Sequence, residues 1–116
     1  MEDCLFCKIA TGDIPSKIIY QDQDVVAFAD INPVAEHHIL FIPRRHIPSM
    51  AALTTEDTEL LGKLFAAAVH VAHDLGLDDP ARGYRFVTNI GPHAGQSVHH
   101  LHFHLLGGRP FSWPPG

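Results

Sequence analysis

The sequence predicts an α+β fold: a five-stranded, mostly antiparallel sheet with one long helix packed on it. Three observations predict it. Short β-rich runs bounded by turn residues recur on both sides of the chain's middle. A single stretch, residues 54–76, repeats its apolar residues at the three-and-four spacing of a helix. In "VHHLHFHLL", residues 98–106, histidine alternates with apolar residues at period two.

Each element can be justified in chain order. The "TGDIP" stretch with Pro15 marks a turn, and "KIIYQ" (residues 17–21) is the first strand. After the turn Asp22-Gln23-Asp24 comes "VVAFAD" (residues 25–30), close enough to form a hairpin with the first. "INPVAE" carries Pro33 and is a loop; "HILFIP" (residues 38–43) is the third strand, closed by Pro43. Thr54 or Thr55 caps the helix, and Glu56 and Asp57 favour its positive end. Leu60, Leu61, Leu64, Phe65, Ala68, Ala72 and Leu75 form one apolar stripe, and Gly76 ends it. His70 and His73 suit the surface near the helix C-terminus. "GYRFVTN" (residues 83–89) is the fourth strand, "IGPHAGQS" (residues 90–97) a glycine-bearing loop, and the histidine row the fifth strand. Three prolines prevent residues 107–116 from continuing the sheet, so they form a C-terminal tail whose Phe111 and Trp113 dock on a surface, its own or a partner's.

Composition narrows the function classes. A chain of 116 residues is expected to form one domain, residues 1–116, with a core that needs no disulfide staples. Net charge is −5 with neutral histidines, which leaves no broad basic footprint for a nucleic acid. The acidic start "MEDCLFCKIA" is unlike a signal peptide, and no apolar run suits a membrane span, so a cytoplasmic protein is expected. In a reducing compartment the Cys4/Cys7 pair reads as a metal site or free thiols rather than a disulfide.

The histidine row is where chemistry concentrates. In a strand His100, His102 and His104 share one face, spaced roughly 6–7 Å apart, with Leu101, Phe103 and Leu105 on the other. Three imidazoles side by side would repel one another if protonated, so stability is a poor reason for them. Imidazole changes charge near neutral pH, attacks as a nucleophile and ligates zinc. In the preceding loop Gly91 and Gly95 permit a backbone that aims N–H groups at an anion, and Gln96 and Ser97 add neutral donors. A phosphate-bearing substrate is the expectation.

Residues 100–106, His-Leu-His-Phe-His-Leu-Leu, resemble the H-φ-H-φ-H-φ-φ signature of the histidine triad family. "GQSVHHLHFHLLGGR" and "WPPG" are similar to its Hint branch, the adenosine phosphoramidate hydrolases. So, in the same order, are "IPSKIIYQD", "FADINP", "HILFIPRRHI", "LGL" and "GYRFVTNIG". The resemblance implies a hydrolase that cleaves the P–N bond of purine nucleoside phosphoramidates through a covalent nucleotidyl-histidine. It implies His102 as nucleophile, His104 at a phosphoryl oxygen, His100 orienting His102, and Ser97 protonating the leaving amine. Asn89, Gly95 and Gln96 would complete the phosphate rim. Asp30 would accept from the ribose hydroxyls, and Leu5, Phe6, Ile9, Ile14, Phe28 and Ile31 would line the purine slot. Read without the resemblance, Phe6 and Phe28 are equally well core residues.

The family implies a homodimer with one continuous sheet, in which Trp113 closes the neighbour's pocket. His104 stands where the nucleotidyltransferase branch has glutamine, which favours hydrolysis. Catalysis requires no cofactor. Some relatives share the cysteine pair and hold a structural zinc, whose ligands correspond to Cys4, Cys7, His46 and His100; the alternative is an unmetallated pair beside a buried His46. His38 reads as a structural partner, and His37, His93 and His99 as surface or rim residues. The competing function is a non-catalytic nucleotide-binding scaffold or a zinc-binding module.

Overall fold

The computed structural model describes residues 3–116. Helix α1 (Leu5–Thr11) precedes strands β1 (Ile18–Gln21), β2 (Val25–Ala29) and β3 (His37–Pro43). Helix α2 (Thr58–Asp74), β4 (Tyr84–Val87) and β5 (Phe103–Gly107) follow. The five strands form one sheet in the order β1-β2-β3-β5-β4, antiparallel at every pairing. The chain leaves β3, crosses one face as α2, enters the far edge as β4 and turns back into the slot beside β3. The histidine strand therefore lies inside the sheet, with neighbours on both sides.

Both faces are covered, which explains why β2 and β3 read as unbroken apolar runs. Val25, Ala27, Ile39 and Phe41 meet Leu64, Ala68, Val71 and Ala72 of α2, together with Leu101, Phe103 and Leu105. Val26, Phe28, Leu40 and Ile42 point the other way, against Phe6 and Ile9 of α1. The expected turns form as read. Asp22 Oδ1 accepts from the Asp24 and Val25 N–H groups, both at 2.8 Å, closing the β1–β2 hairpin. Thr54 caps a 3-10 turn (Thr55–Asp57) that leads into α2, and Asp57 returns a bond to the Thr54 N–H at 2.9 Å. Gly76, at φ 72°, ends the helix in the left-handed region.

Three expectations need correction. α1 is absent from the sequence reading because its 7 residues are too few to show a helical period; Cys4 Sγ caps it and Gly12 at φ 86° stops it. β5 starts at Phe103 rather than at Val98. Upstream of Phe103 the chain peels away from the ladder, because His100 Nε2 bonds Pro43 O at 2.8 Å and the Leu101 N–H bonds Ile47 O. Side-chain alternation nevertheless continues through the irregular part, with Leu101 buried on the α2 side beside Phe103 and Leu105. Gly107, counted with the tail, is the last residue of β5; a Cβ there would lie 2.7 Å from Leu77 Cδ1.

Candidate active site

His102 is buried beside Phe6, ring centroids 5.1 Å apart, and His104 lies 5.1 Å from it on the other side. His102 Nδ1 is 2.7 Å from the carbonyl oxygen of His100. A carbonyl only accepts, so Nδ1 carries the proton and donates it. Nε2 is left with its lone pair free, which is what a nucleophile needs.

A second chain of bonds sets His104. The Val34 N–H donates to His38 Nδ1 at 3.2 Å, which places the His38 proton on Nε2. That proton faces His104 Nδ1 at 2.8 Å, with Asp30 Oδ2 at 3.4 Å beside it. His104 therefore accepts at Nδ1 and carries its own proton on Nε2, as a neutral donor. Burial above all, then repulsion from His102 and His38, pushes His104 down to about 4 against the pull of Asp30. Burial likewise lowers His38, again opposed by Asp30.

These two depressed values have a consequence for stability. Unfolded imidazoles titrate near about 6.5, so between that value and 4 the unfolded chain binds more protons than the folded one. Their contribution is complete above about pH 6.5 and is lost as pH falls towards the folded values. Urea titrations at pH 7, 6 and 5 are expected to give falling midpoints at unchanged slope. A midpoint that stays level or rises on acidification would contradict neutral burial.

The thiols form a separate set. Cys4 Sγ is 3.2 Å from His100 Nδ1; Cys7 Sγ is 3.4 Å from His46 Nδ1 and 3.5 Å from His100 Nδ1. All four donor atoms lie within 4.8 Å of one another. A zinc tetrahedron with Zn–S of about 2.3 Å and Zn–N of about 2.0 Å has S···N edges near 3.5 Å, so the spacing fits. The chemistry fits as well: His100 Nε2 donates to Pro43 O, which turns the Nδ1 lone pair toward the sulfurs. Burial and the adjacent Cys4 thiol raise Cys7, so a bound cation is what would make the pair of thiolates favourable. Asp30, His38 and His104 also place three donor atoms close together. There the hydrogen bonds account for every facing nitrogen, and His38 Nε2 is protonated, so that set does not suit a metal.

A model of the HIT domain family matches residues 11–111. The chain belongs to the HIT domain family. The 14 kDa zinc-binding protein of Zea mays is 47% identical over 114 residues, which is 97% of this chain and 87% of that protein. The crystal structure of a HIT family hydrolase from Legionella pneumophila is 45% identical, covers 98% of this chain and 100% of that one, and superposes at a TM-score of 0.95. A histidine triad nucleotide-binding protein from Candida albicans is 32% identical with a TM-score of 0.83, covering 97% of this chain and 83% of that one.

Within this HIT domain the other expected site residues divide into groups. Phe6, Ile9 and Phe28 pack on one another as core, Phe6 and Phe28 at 5.4 Å, with Ile14 against their edge. Leu5 and Ile31 are exposed, Ile31 at 89%, and Trp113 is 82% exposed. Asn89 follows Thr88, whose Oγ1 donates to the His102 carbonyl at 2.7 Å. The glycine loop differs from expectation. The N–H groups of Gly91, Gly95 and Gln96 are bonded within the loop, and the Gln96 amide spans it to Pro48 O and Val98 O. Gly91 and Gly95 shape the turn at φ 78° and 82°, and exposed Ser97 is left at its end. Sequence reasoning gave His38 only a structural part and passed over Val34, because nothing local signals that β3 pairs with β5 at Leu40 and His104.

Proposed function

We propose that this HIT protein is a nucleoside phosphoramidate hydrolase of the Hint type, acting on purine nucleotides. The observation that carries the proposal is the bond from His102 Nδ1 to the His100 carbonyl, which leaves Nε2 as the free nucleophile. Nε2 attacks the α-phosphorus; the P–Nε2 bond forms, the P–N bond breaks, and the amine leaves with a proton from the Ser97 hydroxyl. Water then attacks phosphorus and returns a proton to the Ser97 oxygen, the P–Nε2 bond breaks, and nucleoside monophosphate departs. His104, neutral with its proton on Nε2, donates to a non-bridging oxygen as charge builds there. Two moderate displacements replace one hard one.

Asp30 accepts from the Asn32 N–H and lies 3.4 Å from His38 Nε2, retains acceptor capacity beyond these, and takes the ribose hydroxyls. Phe6, Ile9, Ile14 and Phe28 form the floor of the purine slot, and exposed Leu5 and Ile31 its lips. Asn89 belongs to the phosphate rim, which Gly95 shapes by its left-handed turn; Gln96 acts by bracing that loop. Residues 1–116 work as one domain and as a homodimer. β4 is an edge strand whose Phe86 packs on the exposed Phe65 of α2 at 5.2 Å, a face that a second copy would cover, leaving Trp113 to reach the neighbour's site. A structural zinc would be held by Cys4, Cys7, His46 and His100, tying the N-terminal segment to the residue before the nucleophile; catalysis itself requires no cofactor. Reduced thiols suit a cytoplasmic setting. The zinc set favours a second reading, a zinc-binding or nucleotide-binding module without turnover.

One experiment separates the two. A fluorogenic adenosine phosphoramidate is expected to be cleaved, with a nucleotidyl adduct on His102 seen by mass spectrometry after rapid quench in alkaline denaturant. Nucleotide binding with neither cleavage nor adduct would leave the module reading.

A further inference from the structure

Three of the five arginines gather at the end of the sheet away from His102. A cavity of about 450 Å³ lies between the turn into β4 and the segment after β5, lined by Arg82, Tyr84, Arg85, Gly108, Arg109 and Phe111. Its size falls within the range of small-molecule sites. Tyr84 pairs with Gly107, three positions along the ladder from the Val87–His104 pair, which places the cavity roughly 10 Å from the triad.

None of these three guanidiniums lies within salt-bridge distance of a carboxylate among the described residues. Each is instead held by neutral carbonyls. Arg82 Nη1 reaches Leu75 O at 3.4 Å, Arg85 Nη2 bonds Ser112 O, and Arg109 bonds Pro110 O at 3.1 Å and Val34 O at 3.2 Å. Arg85 and Arg109 also lie over the Phe111 ring, at 5.3 and 4.4 Å from its centre. These bonds explain how the tail is fastened. They use one or two of the five N–H groups on each guanidinium and leave three positive charges without a counter-charge, in a chain whose net charge is −5. Of the nearby acids, Glu36 sends Oε1 towards His37 at 3.7 Å and Oε2 against Gly108 at the cavity rim without reaching a guanidinium, Asp78 bonds His73, and Asp79 accepts from the Ala81 N–H.

We propose that this cavity is a second anion site, distinct from the histidine cluster, which binds the phosphate or pyrophosphate group of a small molecule. Oriented planar guanidiniums match phosphoryl oxygens, several of which accept bonds at once where a carboxylate offers two. Pro110, Tyr84 and Phe111 supply apolar wall for an organic body. The site stands on the arginines alone and is independent of the hydrolase reading.

The test is an NMR titration of the full chain with pyrophosphate, following the arginine Nε–Hε resonances. Those of Arg82, Arg85 and Arg109 are expected to move together with a Kd below about 1 mM at low salt, and malonate is expected to bind more weakly. An Arg82→Ala/Arg109→Ala variant should weaken the site at least about tenfold. Arg82→Gln, which keeps both tail-fastening guanidiniums, should weaken it about threefold or more while the spectrum stays dispersed. Shifts confined to Ser97, Asn89 and His102 would place pyrophosphate in the triad only and overturn the proposal. So would an unchanged Kd in both variants, or malonate binding as tightly as pyrophosphate.

Discussion

His102→Ala is expected to lower turnover of an adenosine phosphoramidate at least about a hundredfold and to abolish the covalent adduct. The expectation follows from the tautomer. His102 is 5% exposed and its Nδ1–H is committed to the His100 carbonyl, so Nε2 is the only ring nitrogen with a lone pair to offer. His104 cannot substitute, since its Nδ1 lone pair accepts from His38 and its Nε2 holds a proton. Removing a buried imidazole also leaves a hole beside Phe6, so thermal unfolding of the variant must be followed with its kinetics. His102→Asn fills more of that space and presents no ring nucleophile; it should keep the fold and show the same loss. Most of the activity surviving in a folded variant would remove His102 from the nucleophile's place.

Loss of the thiol set is expected to act on stability first. Protein produced without a histidine tag should carry close to one zinc per chain, and Cys7→Ser should release it. A ligand present at a thousandfold its Kd stabilises the folded state by about 4 kcal/mol. For a chain of this length that corresponds to a Tm lower by about 10–20 °C in the variant or after chelation. Activity should fall less than stability, through His100: its ring belongs to the Cys4–Cys7–His46 set while its backbone carbonyl holds His102. Metal content under roughly a tenth of an atom per chain, with no change of Tm on chelation, would leave an unmetallated cysteine pair.

Much of this site could be read from local pattern, and particular residues show where that stops. The alternation in residues 98–106 correctly separated His100, His102 and His104 from Leu101, Phe103 and Leu105, because side-chain direction follows extended backbone whether or not a ladder forms. The ladder itself was misjudged: its start at Phe103 depends on Pro43 and Ile47 drawing the chain aside. The glycines at 91 and 95 form the turn expected of them, and within it the Gly91, Gly95 and Gln96 N–H groups bond to the loop itself. His38 looked structural because its partner lies 66 positions away.

By itself, then, the amino-acid order determined the α+β class, the cap and stripe of α2 and the shared side of the three histidines. These follow from φ/ψ preference, period and residue chemistry, which act over a few neighbours. Only the tertiary structure decided the strand order that seats β5 between β3 and β4, and with it the meeting of His38 with His104. It also decided the approach of Cys4, Cys7 and His46 to His100, and the gathering of Arg82, Arg85 and Arg109. Each of those depends on which distant segments are brought together when both faces of one sheet are covered, and no local preference carries that information.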